Sequence, residues 1–397
     1  MQPLSNAAAC RDIASGTGDI RQTLPLDQGP VDRPSSSEAL RVDCAATAGF
    51  AQWMASAGGS VAGTTYQAGK VVLAGWNGFQ VTLLMRHFDK PMGLAVHGAN
   101  LALACRHEVL FFANAPLLAH DYAENQPGRY DALYLPRSAW FTGDLNLHDI
   151  AFGGDASVGQ DGLWLVNTRF SCLSTLGPQF HFLPAWQPPF ISQLAPEDRC
   201  HLNGLGMEAG RPKYVTALGA TDEPGGWRAN KAAGGVLIDV GSGAIALAGL
   251  SMPHSPRLHD GKWWLLNSGA GELWTVDPQR GDHTVVCALP GYLRGLCFVG
   301  SYALVGMSQV RERHIFGNLP VQQRHDKLLC GIALIDLRTG VLAGMLEFTA
   351  GCRELYDVQF LPGVRQAMIL NLQNESVRQA VTAPGFSYWF RPSSEVH

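Results

Sequence analysis

Three histidines, His148, His201 and His254, stand at the starts of three successive apolar strands, and three neutral imidazoles at one mouth can do two kinds of chemistry. They can hold a divalent transition metal with a position left open for water or substrate, and such a metal lowers the pKa of its bound water toward neutrality. They can equally serve as acid and base beside two carboxylates, Asp149 and Asp357. The plainer use is structural, since buried imidazoles hydrogen-bond the carbonyls of neighbouring turns. The spacing is far looser than His-Glu-x-x-His and selects none of the three by itself.

Arginines accompany the histidines: Arg106, Arg169, Arg257, Arg294 and Arg353 all sit at strand ends. The planar guanidinium suits carboxylate, phosphate or sulfate, so a ligand with an anionic group is expected. Pairs such as Arg257 with Asp149, or Arg353 with Asp357, would instead lock blades together. Asn167, Asn203, Asn267 and Tyr356 join the set as ligand-binding candidates. Trp227, in the turn-rich stretch Thr221 to Lys231, is a candidate to fold over a ligand; packing of a crossing loop is the competing use.

What must position these residues is a repeat. Short apolar strands recur around Leu94, Ile150, Leu205, Leu258, Leu296 and Val358, separated by 56, 55, 53, 38 and 62 residues. Short strands with Gly-rich turns restarting at that period are the pattern of propeller blades. A pair of β-sandwiches would also give short strands, but not one that restarts on a common motif. The expected fold is therefore an all-β, six-bladed β-propeller with four-stranded blades. Strands at 69–75 and 79–84, joined across Asn77-Gly78, are expected to close the ring by completing the blade begun near Leu355. The glycines Gly93, Gly204 and Gly295 are expected to permit close strand approach near the axis.

In a four-stranded blade the chain alternates direction, so turns entering the first strand and leaving the second share one face. That face collects His148, Asp149, His201, Asn203, His254, Arg257, Arg294, Tyr356 and Asp357 on entry. On exit it collects Arg106, Asn167, Arg169, Asn267 and the two long excursions, Thr221 to Lys231 and Gln309 to Lys327. Loops on a rigid scaffold are where function tends to sit.

Composition excludes several classes. The 397 residues carry a net charge of −4, without the basic field nucleic acid needs. No run of about eighteen apolar residues is present to span a membrane. The nine cysteines form no Cys-x-x-Cys pair, so neither a disulfide framework nor structural zinc is expected. Residues 1–45 read as a flexible leader without a secretory pattern, 46–397 as one propeller domain, and the location as cytoplasmic. Gly204-Leu205-Gly206 lies inside a strand and is no dinucleotide loop, and no Gly-x-Ser-x-Gly elbow occurs. A short helix is expected from Thr47 to Ser56, with Phe50, Trp53 and Met54 on one face.

Several strings are specific: Thr65–Lys70 (TYQAGK), Arg86–Leu94 (RHFDKPMGL), Val166–Leu173 (VNTRFSCL), Pro189–Ser192 (PFIS), Glu197–Gly204 (EDRCHLNG), Pro224–Arg228 (PGGWR) and Met252–Arg257 (MPHSPR). Over about residues 50 to 380 the chain resembles a bacterial family of conserved hypothetical proteins, domain of unknown function 4915. The resemblance implies a propeller-like domain and carries over no catalytic residues. The expectation that follows is a small-molecule enzyme, metal-assisted through His148, His201 and His254, with Asp149 or Asp357 as base. Its substrate would be small, polar and anionic, oriented by Arg169, Arg257 and Arg294. The alternative is a non-catalytic propeller that binds a ligand, glycan or protein, for which exposed aromatics across the face would be needed.

Overall fold

The computed structural model describes residues 22–23, 26–27, 42–154, 162–310 and 317–390. It is a six-bladed β-propeller, and the blades follow the sequence repeat. Blade 1 runs through Leu94–His97, Asn100–Ala104, Glu108–Asn114 and Ala132–Phe141. Blade 2 comprises Leu147–Phe152, Leu163–Asn167, Cys172–Gly177 and Phe180–Trp186. Blade 3 is Leu202–Glu208, Arg211–Ala217, Gly235–Asp239 and Ile245–Leu250. Blade 4 is Pro253–His259, Lys262–Asn267, Glu272–Asp277 and Asp282–Ala288. Blade 5 is Tyr292–Val299, Tyr302–Ser308, Gly331–Asp336 and Val341–Ala350.

Blade 6 closes the ring. Its inner strand, Asp357–Pro362, pairs antiparallel with Gly59–Thr65, and Lys70–Trp76 and Val81–His87 follow outward. The N-terminal region thus supplies three strands and not the expected pair. Gly59–Thr65 escapes a sequence reading because Gly-Ser-Val-Ala-Gly-Thr-Thr is small and turn-like, whereas the strand is buried along its whole length. A short strand over Ala367–Ile369 adds in parallel to the outside of blade 1. Phe180–Trp186 is the exposed outer strand of blade 2.

Most of the leader expected over residues 1–45 lies outside the described residues, as do 311–316 of the second excursion. Its described pieces pair with the propeller: Asp43–Ala46 adds to blade 5 with Gln22–Thr23 beyond it, and Leu26–Asp27 adds to blade 6. The helix forms over Ala48–Ser56, capped by the Thr47 hydroxyl, which accepts from the Phe50 N–H at 3.3 Å. Its buried face is Phe50, Trp53 and Met54. At Gly49 the helix backbone touches blade 5; an added Cβ would overlap the Ala343 carbonyl. Apolar clusters fill the spaces between neighbouring blades, as where Trp264, Leu266 and Leu273 of blade 4 meet Leu293, Leu296 and Val305 of blade 5. Among the described residues no helix is long and apolar enough to cross a membrane.

Candidate functional site at the mouth of the central channel

The inner strands begin with a shared device. The residue before the strand takes a left-handed conformation at Lys90, Asn146, His201 and Met252, with φ between 48° and 56°. Two residues later a side chain enters the channel mouth: Met92, His148, Asn203, His254, Arg294 or Tyr356. Register shifts between Leu147 and Ile150, Leu202 and Gly204, His254 and Arg257, and Leu293 and Leu296 mark β-bulges there. A bulge re-aims the side chains it contains. The registers also correct the sequence alignment in blade 4. Pro253 pairs with Asn267 as Leu147 pairs with Asn167, so Pro256, not Leu258, takes the place of Ile150.

His148 is buried, and its Nδ1 lies 2.9 Å from the Asn146 carbonyl and 2.8 Å from the Thr168 hydroxyl. A carbonyl only accepts, so Nδ1 carries the hydrogen and Nε2 the lone pair. His254 repeats the arrangement, with Nδ1 at 2.9 Å from the Met252 carbonyl and 3.1 Å from the Ser268 hydroxyl. Its Nε2 accepts from the Asn203 amide at 3.2 Å, whose oxygen in turn accepts from Thr216 at 2.6 Å. Burial first, then His201 and Arg294 for His148 and Arg294 for His254, hold both well below the usual imidazole pKa, so both stay neutral.

His201 belongs to a different position, the left-handed residue before its strand. Its Nδ1 is 2.9 Å from both Asp198 oxygens, and its ring packs 4.6 Å from His148 and 4.5 Å from Trp227. The three histidines therefore do not converge as a ligand set. Two present Nδ1–H to carbonyls, one spends Nε2 on an amide, and the third lies in another layer. Among the described residues no group of three His, Cys, Asp or Glu side chains could hold a metal ion. The expected three-histidine metal site loses its geometric support.

Trp227 is the second correction. It is 3 % exposed in the short 3₁₀ helix Gly226–Asn230, donates to Asp198 at 3.1 Å, and is covered by the Arg228 guanidinium at 4.4 Å. It backs His201 instead of crowning an open turn. Asn167 and Asn267 do turn work: their oxygens accept the Phe170 and Ser251 N–H groups at 3.1 and 2.8 Å. Arg106 pairs with Asp89 at 3.1 Å, and Arg169 with Asp144 at 3.3 Å, both on the half-exposed rim.

Arg294 and Tyr356 form the centre of the mouth. The guanidinium lies 4.8 Å from the Tyr356 ring centre and 5.2 Å from that of Tyr292. Tyr356 also contacts His148 at 5.4 Å and stacks on Tyr66 at 5.7 Å. Tyr356 is 5 % exposed, and its hydroxyl has no hydrogen-bond partner among the described residues. Burial raises the Tyr356 pKa well above 10, so the phenol keeps its proton.

One layer below, Asp149 accepts the Leu205 N–H at 2.9 Å and binds Arg257 through both oxygens, at 2.9 and 3.2 Å. This joins blades 2, 3 and 4. Asp357 accepts the N–H groups of Leu94 at 2.9 Å and Val358 at 2.8 Å, fastening blade 6 to blade 1. Burial and the Asp149 charge raise its pKa to about 7. Asp149 and Asp357 thus sit beneath the mouth as blade fasteners.

Sequence reasoning missed Tyr66, Lys90 and Tyr292. By register Tyr66 occupies the place of Thr168 and Ser268, just after a second strand, and the exit-turn rule finds it once Gly59–Thr65 is known to be a strand. The Lys90 ammonium donates to Asn146 at 3.1 Å and lies 5.1 Å over the Tyr66 ring. A cavity of about 1170 Å³ opens between the outer parts of blades 3 and 4 among the turns of the opposite face. It is lined by residues such as Lys213, Asp239, Trp263 and His283, and none of the predicted site residues reaches it.

Fold and site together define a six-bladed propeller whose channel mouth is built from bulged inner strands carrying imidazole, amide, guanidinium and phenol groups. Within that class, the chain belongs to the family described as Domain of unknown function (DUF4915), whose model matches residues 48–370. No curated protein matches it. Among solved structures it is similar to a chain of a nidogen/laminin complex, at TM-score 0.49 and 10 % identity over 77 % of this chain and 99 % of that one. It is also similar to a protein of unknown function from Bacteroides caccae, at TM-score 0.46 and 8 % identity over 76 % and 98 %.

Proposed function

We propose that the mouth binds a small, polar, anionic molecule and offers it metal-free proton transfer. The observation that supports this is the buried Tyr356 hydroxyl, which has no hydrogen-bond partner among the described residues, on a ring over which the Arg294 guanidinium lies at 4.8 Å. An unmade hydrogen bond in a buried site costs about 1–3 kcal/mol, and a ligand oxygen removes that cost. Neutral His148 packs edge-on against the same ring at 5.4 Å and offers a base without a metal. The glycan- or protein-binding alternative relied on exposed aromatics, and Trp227 is buried.

The test is a thermal-shift series on the full chain with small carboxylates, sulfate and inorganic phosphate, repeated on Arg294→Gln. At least one anion should raise Tm saturably in the native protein, and the folded variant should lose that response. Equal responses in both proteins, or none in the native one, would reject the reading.

A further inference from the structure

The polar atoms around the mouth are not equally engaged, and the pattern of engagement selects a ligand class. Asn203 is spent on both sides, on His254 and on Thr216. His254 is spent on Met252 and Asn203, and His201 has its Nδ1 on Asp198. Tyr356 and His148 each keep an atom with no hydrogen-bond partner among the described residues. The buried Tyr356 hydroxyl has no acceptor there. His148 Nε2, across the ring from the nitrogen that is fixed on Asn146 and Thr168, has no donor among the described residues. Arg294 adds a positive charge next to the phenol.

A donor beside a cation calls for an anionic oxygen. An acceptor on the imidazole whose ring lies 5.4 Å from that of Tyr356 calls for an O–H or N–H on the same molecule. Arg294 is a single guanidinium with the Glu354 carboxylate within electrostatic reach, a balance that suits a monoanion better than a phosphate dianion. Resting on the anion-binding reading, we infer that the mouth takes a hydroxycarboxylate. Its carboxylate sits on Arg294 and Tyr356, and its hydroxyl donates to Nε2 of His148.

A site built to accept a hydroxyl rejects the analogue that lacks it, because the buried acceptor is then left unpaired. The experiment is calorimetric titration of the full chain with lactate, glycerate and gluconate, against propionate as the hydroxyl-free partner and glycerol 3-phosphate as the dianion. At least one hydroxycarboxylate should bind about ten-fold more tightly than propionate. In His148→Phe, with folding checked by circular dichroism, that preference should vanish while propionate binding is retained. His148→Gln, whose side chain keeps an acceptor, should recover part of the preference and guards against a misfolded variant.

Each failure has its own meaning. Equal binding of lactate and propionate overturns the hydroxyl contact and leaves the anion reading standing. Tighter binding of glycerol 3-phosphate overturns the carboxylate assignment. No binding by any probe below about 10 mM, where a single ion contact would still register, rejects this inference and the anion reading together.

Discussion

Two rings of side chains face the same channel one residue apart: Met92, His148, Asn203, His254, Arg294 and Tyr356 above, and Gly93, Asp149, Gly204, Ser255, Gly295 and Asp357 below. The lower ring alternates glycine with a polar side chain, and each polar member accepts a backbone N–H from the next blade. Asp149 takes Leu205, Ser255 takes Gly295 at 3.2 Å, and Asp357 takes Leu94. The glycines make room for that reach. A Cβ on Gly295, which adopts φ of 76°, would sit 2.6 Å from the Val358 nitrogen. The upper ring has no such rule. Its residues bond to loops, to one another, or in the case of the Tyr356 hydroxyl to nothing among the described residues. Satisfied polar groups in a regular pattern mark the part of the channel that holds the blades. Irregular chemistry with an unmet bond marks the part left for a ligand.

The sharpest way to break this contrast is to remove a fastener. Asp149→Ala deletes the acceptor of Leu205 and strands the Arg257 guanidinium, whose other contacts are the Leu205 and Pro256 carbonyls at 2.7 and 3.1 Å. Breaking one side of a buried ion pair costs about 3–5 kcal/mol. Urea unfolding should show a loss of that order. A loss below about 1 kcal/mol would mean that the lower ring is not what holds blades 2, 3 and 4 together.

How far the sequence reached follows the same division. The lower ring was legible, because Gly93, Gly204 and Gly295 at one motif position announce close backbone approach, and the structure shows it. The six blades were legible because each inner strand restarts on apolar residues. Blade 4 slipped by two residues in the alignment because Leu258, 37 % exposed on the strand's far end, offered a better aliphatic match than Pro256. The upper ring was legible in residue type and not in arrangement. His148 stands two residues before Ile150 and His201 four before Leu205, so the spacing separates their positions. What it does not report is the bulge that aims the one into the ring and the left-handed turn that holds the other before it.

A second test uses pH. Burial and the Asp149 charge raise the folded pKa of Asp357 from 3.8 to about 7, so the folded protein holds a proton there that the unfolded chain releases. The stability this group contributes is therefore full below about pH 4 and is lost as pH rises through about 7. Asp357→Asn keeps an acceptor oxygen for Leu94 and cannot ionise. The stability difference, native minus variant, should fall between pH 5 and pH 8 in chemical denaturation. A flat difference would show that Asp357 is ionised throughout, and would turn the pair into two fixed charges flanking Arg257.

The smallest effect comes from the upper ring, and its sign carries the weight. Tyr356→Phe keeps the ring that packs on Tyr66, His148 and Arg294 and removes only the hydroxyl. Deleting a hydrogen-bonded buried hydroxyl lowers stability by about 1 kcal/mol, but deleting one that is buried and unbonded relieves a desolvation penalty. The ligand-free variant should accordingly be as stable as the native protein or more stable by up to about 1 kcal/mol, and its response to the anion that stabilises the native protein should be weaker. Loss of stability instead would place a fixed partner on that oxygen and return Tyr356 to the role of the ring below it. A gain in stability coupled to a loss of binding is the outcome that separates a site held open for a ligand from a joint that holds blades together.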